Sequence, residues 1–332
     1  MTIEWARLRQ IIDTHDRFLI TSHVRPDGDA IGSELGMAAL LAQKGKQYTI
    51  VNASKFPPRY RFLDPDCRVR HFGDEVSAAD LRSVEVVIIL DTSAWIQLDS
   101  MADFVRATPA KKVIIDHDLG HDDMGAELFK DTTAAACGSL VADAVEHLGC
   151  EMTREVAEPL FVAMATDTGW FRFSSTDGKT LRIAAQLVDT GIPVDRLYRT
   201  IFEESTVARL KLVGRTLESI RVACDGRVAY STIRLDDLSS TSAIPQDSED
   251  LVNYTLSISG VEVGLMFVEQ RSGSVKVSFR SRDDVDCSRI ASQFGGGGHR
   301  AAAGATIEAP IAQVEARVLK AVEVALAAKP SI

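Results

Sequence analysis

The segment RFLITSHVRPDGDAIGS, Arg17–Ser33, decides how the first half of the chain is read. Its opening residues, Arg17–Ser22, read as a short buried strand. They run into a polar loop that Pro26 stiffens and Gly28 releases. A helix is expected to follow over about Ala30–Lys44, with Ile31, Leu35, Ala38, Ala39 and Ala42 near one face. Working outward, Gln47–Val51 (QYTIV), Val84–Leu90 (VEVVIIL) and Lys112–Ile115 (KVII) read as further strands, the last two apolar and β-branched enough to be covered on both faces. Helices are expected over Cys137–Leu148 and Glu155–Thr166. Alternation of this kind implies an α/β fold, a parallel sheet with helices on both faces, in which sites form at the carboxyl ends of strands.

From Thr180 to Glu218 the pattern is almost wholly helical, and beyond it the chain turns strand-rich over Gly226–Leu235, Val261–Gln270 and Ser274–Arg282, closing with a helix over Ile311–Ala328. A length of 332 residues is that of two ordinary domains. The expected organisation is a first domain over 1–188, a helical connector over 189–219 and a smaller α/β domain over 220–330, with Lys329–Ile332 as a short disordered tail. The five cysteines are odd in number and show no CxxC spacing, which fits reduced thiols in a cytoplasmic protein. The N-terminal residues lack the basic and apolar pattern of a signal peptide, and no apolar run reaches the length of a membrane span. A net charge of −10 argues against long duplex nucleic acid as a partner, yet leaves room for a small phosphorylated substrate in a local basic pocket and for a cation among the acids.

Four acidic motifs stand at successive element ends. His23, Asp27 and Asp29 lie on the loop after the first strand. Asp91 closes VVIILD, Asp116-His117-Asp118 closes KVII, and Asp167-Thr168-Gly169 ends the helical run LFVAMAT. Each alone has a plain structural explanation: Asp29 can cap a helix, and a lone Asp at a strand end is usually a turn former. In a parallel sheet, however, those ends gather on one edge. Two carboxylates about 4 Å apart repel by about 4 kcal/mol at an effective dielectric near 20. Gathering five of them without cations would exceed a typical domain stability of about 5–15 kcal/mol. With imidazole and carboxylate donors and no cysteine in the motifs, Mn²⁺ or Mg²⁺ fits better than a structural zinc.

The second domain offers a complementary pattern. In Val275–Arg282 (VKVSFRSR), alternation places Lys276, Ser278, Arg280 and Arg282 on one face and Val275, Val277 and Phe279 on the other. Between Gln270 and Arg300 there are six Arg/Lys against three Asp, a net of +3. This is either a solvated face or a phosphate-binding one, since guanidinium forks match phosphate geometry. The glycine run Gly295–Gly298, ending at His299, could bring backbone N–H groups close to an anion.

Taken in order, HxxPDxDxxGS, a strand-end Asp, DH and DTG resemble the motifs of the DHH phosphoesterases. Phe294–Gly304, FGGGGHRAAAG, is similar to the signature of the DHHA1 domain that accompanies them. Length and domain pairing resemble the branch that degrades very short RNAs (nanoRNA) and 3′-phosphoadenosine 5′-phosphate (pAp). The resemblance implies a DHH metal-binding domain plus a DHHA1 substrate-binding domain. It implies His23, Asp27, Asp29, Asp91, His117 and Asp167 as ligands of two Mn²⁺ ions, Mg²⁺ being the alternative, with Asp91 bridging. Asp116 would orient rather than ligate, and Asp91, Asp116, His117 and Asp118 would form the catalytic set. Arg280, Arg282, Gly296, Gly297, Gly298 and His299 would bind substrate. Implied partners are short single-stranded RNA or small nucleotides, without a membrane or long duplex; a homodimer is compatible with this.

One position departs from the pattern: the family's third residue in DHH is histidine, and here it is Asp118. An acceptor carboxylate replaces a donor beside the substrate phosphate. A cyclic or linear dinucleotide phosphodiesterase, and a catalytically weak nucleotide-binding protein, therefore stand as alternatives.

Overall fold

A computed structural model describes residues 3–282, 285–298 and 300–327. His299 and the tail Lys329–Ile332 lie outside them. The chain divides into two compact units, Met1–Glu203 and Glu204–Ile332. Of the segment read as a connector, the helix Val194–Tyr198 belongs to the first unit and the helix Val207–Glu218 to the second. Among the described residues no helix is long and apolar enough to cross a membrane.

In the first unit the strands are β1 (Arg17–Thr21), β2 (Gln47–Asn52), β3 (Val69–His71), β4 (Val86–Leu90), β5 (Lys111–Asp116) and β6 (Glu127–Lys130). They pair in the order β3-β2-β1-β4-β5-β6, every pairing parallel. The edge strands β3 and β6 are too short and too exposed to show in the apolar pattern. The helices are α1 (Trp5–Thr14), α2 (Gly28–Gln43), α3 (Met101–Ala107), α4 (Cys137–His147), α5 (Arg154–Asp167) and α6 (Gly178–Asp189). Side chains alternate across the sheet. Phe18, Ile20, Val86, Ile88 and Val113 enter one core with α1, α2, α4, α5 and α6. Leu19, Val87, Ile89 and Ile114 enter another with Met101 and Val105 of α3. Helices thus cover both faces, as the sequence pattern implies.

The packing of α2 on α5 rests on glycine. Gly28, Gly32 and Gly36 form a stripe at four-residue spacing along α2. A Cβ built on them would lie 2.4 Å from Thr166 Oγ1, 2.3 Å from the Pro159 carbonyl oxygen and 2.4 Å from Leu160 Cδ2, respectively. Such distances are well inside van der Waals contact. Gly32 also meets Ala163, and the register 28 to 166, 32 to 163 and 36 to 160 makes the two helices antiparallel. The start of α2, with Asp27 and Asp29, therefore lies beside the end of α5, with Asp167.

The second unit is built on β7 (Arg221–Ala223), β8 (Val228–Ile233), β9 (Val263–Glu269), β10 (Val275–Ser281), β11 (Gly297–Gly298) and β12 (Ala302–Ile307). Their order is β11-β12-β10-β9-β8-β7, antiparallel except where β8 runs parallel to β9. The helix Ile311–Ala327 buries Val314, Val318, Val322 and Leu326 in one core with Val263, Leu265, Phe267, Val275, Val277 and Phe279. These sit at four-residue spacing, one face of a helix.

Candidate metal centre

β1 has β2 on one side and β4 on the other, so the sheet's winding reverses between β1 and β4. Clefts form at such a point beyond the carboxyl ends of strands. His23 follows β1, Asp91 follows β4, and Asp116 and His117 close β5. Asp27 caps α2, its Oδ1 accepting the N–H groups of Asp29 at 3.0 Å and Ala30 at 3.1 Å. The cap is thus Asp27, not Asp29, and the helix begins at Gly28 rather than Ala30. Asp29, freed of capping, is fully buried and reaches across to α4. Its Oδ2 accepts from the Cys137 N–H at 2.7 Å, and its Oδ1 from the Gly138 N–H at 2.8 Å and the Ser33 hydroxyl at 3.1 Å.

Two trios result. His23, Asp27 and Asp91 form one; Asp29, His117 and Asp167 form the other. Within each, the ligand atoms lie within 4.8 Å of one another. Asp91 faces both: its Oδ2 is 3.4 Å from His23 Nε2 and its Oδ1 is 3.3 Å from His117 Nε2. His117 Nε2 also lies 3.6 Å from Asp29 Oδ2 and 3.7 Å from Asp167 Oδ2. The φ of Asp91 is +59°, a left-handed conformation that Asp tolerates better than most residues.

The donor set fits divalent cations. His23 Nδ1 lies 3.0 Å from the Val24 carbonyl and His117 Nδ1 lies 3.2 Å from the Ala134 carbonyl. With Nδ1–H donated there, Nε2 presents its lone pair inward, as metal-ligating histidines do. Without ions, protons stand in for the missing charge. Burial disfavours the imidazolium of His23, but the hydrogen bond and charge of Asp91 outweigh it and push the ring up to about 10. His117, against the same opposition, is pushed up to about 11 by Asp91 and Asp29. Burial raises Asp27, Asp29 and Asp167, the last to about 7, and the charge of Asp91 adds to each. Asp91 alone goes down: burial opposes its charge, and His117 and His23 overcome that. Cations binding here would displace those protons.

Asp116 joins neither trio. It is fully buried, with Oδ2 2.6 Å from Lys130 Nζ and 2.6 Å from Ser93 Oγ, and Oδ1 accepting the Asp118 N–H at 3.1 Å. Asp118 is part-exposed, and its charge adds to those that raise Asp167. Lys130 and Ser93 stand outside every motif in the sequence, and only the adjacency of β4, β5 and β6 brings them here.

Behind His23 lies a second pair that the sequence does not announce. Asn52, at the end of β2, accepts the Ser22 N–H at 3.0 Å and donates to Glu34 Oε2 at 2.9 Å, while Glu34 Oε1 has no partner. Burial, outweighing Asn52 and the attraction of His23, pushes the Glu34 carboxyl up to about 8. The unfolded chain holds its proton only to about pH 4.3. Between those values the folded state binds more protons, so stability falls as pH rises and the loss is complete near the folded value. Glu34→Gln removes this slope. In chelator, its unfolding free energy should gain on wild type by about 1.4 kcal/mol per pH unit between roughly pH 5 and 8. Denaturant titrations giving parallel pH profiles for the two proteins would count against a buried neutral acid.

In the second unit, β10 alternates as the sequence suggests: Val275, Val277 and Phe279 are buried, Lys276 is exposed, and Ser278 and Arg280 are half-buried. Arg280 donates to the Phe279 carbonyl at 3.1 Å, and Arg282, just past the strand, donates to the Leu256 carbonyl. A Cβ on Gly296 would fall 2.1 Å from the Gly304 carbonyl oxygen, and one on Gly298 would fall 2.6 Å from that of Ala302. Gly298, within β11, and Gly296, just before it, are required by the close approach of this segment to β12. Gly297 has open space before it.

The family model described as "DHH family, N-terminal domain" matches residues 17–165, and that described as "DHHA1 domain" matches residues 225–328. The chain is similar to the bifunctional oligoribonuclease and PAP phosphatase NrnA of Thermus thermophilus, 32% identical over 328 residues, spanning 96% of this chain and 94% of that protein. It is also similar to the protein of the same name from Bacillus subtilis, 28% identical over 306 residues, spanning 91% and 93%. Among solved structures, an exopolyphosphatase-related protein from Bacteroides fragilis superposes with a TM-score of 0.91 at 28% identity, covering 97% of this chain and 95% of that one.

Proposed function

The chain belongs to the DHH phosphoesterase family, with a DHHA1 domain on its C-terminal side, and on that premise we propose that it hydrolyses very short RNAs and 3′-phosphoadenosine 5′-phosphate with two Mn²⁺ ions. The observation that carries the reading is Asp91, whose two oxygens face two separate trios of ligands. The T. thermophilus and B. subtilis relatives bear names for both activities. One imidazole in each otherwise carboxylate trio favours Mn²⁺ over Mg²⁺. Bound cations would supply charge for the phosphoryl oxygens and lower the pKa of water.

The chain's own residues do the rest. Asp91 fixes the spacing of the two trios from a rigid strand end. The carbonyls of Val24 and Ala134 hold both imidazoles in one tautomer and orientation. Asp29 is clamped by three donors and cannot swing away. Asp118, an acceptor where the DHH motif has a histidine, supports a second reading as a slow, nucleotide-binding protein.

A substrate panel separates the readings. pAp, linear and cyclic dinucleotides and RNAs of about 5 and 24 nucleotides should be assayed with Mn²⁺ and with Mg²⁺. Turnover is expected on pAp and the shortest RNAs, faster with Mn²⁺ and absent in chelator. Tight binding without turnover would favour the second reading, and preference for cyclic dinucleotides would displace both.

A further inference from the structure

Lys130 ends β6, in register with Asp116 at the end of β5. Its side chain is 11% exposed. Its three N–H donors meet three acceptors: Asp116 Oδ2 at 2.6 Å, Ser93 Oγ at 2.7 Å and the Gly120 carbonyl at 2.5 Å. Ser93 belongs to the turn that leaves β4, Asp116 ends β5, and Gly120 belongs to the turn that leaves it. One ammonium thus ties together the two turns that carry Asp91 and His117, whose facing atoms stand 3.3 Å apart.

We infer that Lys130 is a positioning residue for the second trio: through Asp116 and Ser93 it sets the separation of Asp91 Oδ1 from His117 Nε2, touching neither ion nor substrate. Its charge also commits Asp116 to this brace, which accounts for a strand-end carboxylate that joins neither trio. Asp91 belongs to the first trio as well, but the other two members of that trio have their own supports. Asp27 is held by the start of α2 and His23 by the Val24 carbonyl, and neither depends on Lys130. Only Asp91 of the first trio stands on a clamped turn, whereas the second site loses the fixed separation of His117 from Asp91, so loss of the clamp falls more heavily on the second ion. This inference rests on the two-ion reading proposed above.

The test is uptake of Mn²⁺ by titration without substrate, together with steady-state kinetics. The variants are Asp116→Asn/Lys130→Met, which removes the buried charge pair while an amide keeps the turn, and Ser93→Ala, which removes one arm of the clamp and no charge. The double variant should bind its first ion with affinity within about threefold of wild type and its second about 10–100-fold more weakly, the range usual for groups that orient a ligand. Its kcat should fall by a similar factor with KM little changed, and excess Mn²⁺ should restore part of it. Ser93→Ala should shift mainly the second ion, in the same direction and less. Wild-type affinities for both ions in the folded double variant would overturn the inference. Should that variant not fold, an unchanged second affinity in Ser93→Ala does so. Wild-type protein that takes up fewer than two ions would sink the two-ion reading instead.

Discussion

Asp91→Asn should lose activity by about 10²–10³-fold at saturating Mn²⁺, the range seen when one preorganised electrostatic contact in a reacting centre is removed, while the protein stays folded. Asparagine has nearly the size of aspartate and shares its tolerance of the left-handed backbone that residue 91 adopts. What changes is the pair of oxygens. Asp91 offers one to the side of His23 and the other to the side of His117. An amide has a single oxygen, so whichever way it turns, one trio meets a donor in place of an acceptor. Both charge and symmetry are lost together. The measurement is turnover alongside Mn²⁺ stoichiometry, with a melt in chelator to establish the fold. Retention of a tenth of the activity, or of both ions, would show that the residue is not shared between two sites.

The largest effect on stability is expected at Gly32. In an open helix Gly→Ala stabilises by about 1 kcal/mol through propensity. Gly214, inside the helix Val207–Glu218 with nothing near its missing Cβ, should behave so. At Gly32 the new methyl would meet the Pro159 carbonyl oxygen at 2.3 Å and Ala163 Cβ at 2.8 Å. Neither is the tip of a flexible side chain, so α2 and α5 must part. Overpacking of that kind costs about 1–3 kcal/mol or more, which reverses the sign seen at Gly214. Parting these helices also draws Asp29 away from Asp167, so activity should fall with stability. Unfolding titrations of the two variants under one condition make the comparison, and a stabilised Gly32→Ala would disprove the close approach.

Much of this was legible in the sequence, and the reason is local. Asp27 and Asp29 sit where the chain passes from a strand into a helix, both of which declare themselves by pattern, and Asp91 and Asp116 end runs apolar enough to be central strands. What stayed hidden depends on which strands are neighbours. Ser93 and Lys130 meet only because β4, β5 and β6 lie side by side, and β6 is a half-exposed strand with almost no apolar signal. Glu34 reads as one polar residue in a helix until Asn52, from the far side of β1, is placed against it. The glycines of α2 were visible at four-residue spacing. In the motif, though, Gly28 reads as a loop breaker and Gly32 falls inside the expected helix, and their common face has meaning only once α5 lies on it. In the run Gly295–Gly298, close approach to β12 accounts for Gly296 and Gly298, a demand that the motif reading cannot separate from ligand binding.

The site's residues are rooted in strand ends and helix ends, while the connecting loops rise beyond them. At the crests of two such loops Ile96 and Leu119 are each 84% exposed and lie outside both apolar cores of the first unit. Those two positions can therefore change without touching either core, and the ligand geometry rooted beneath them can be inherited intact.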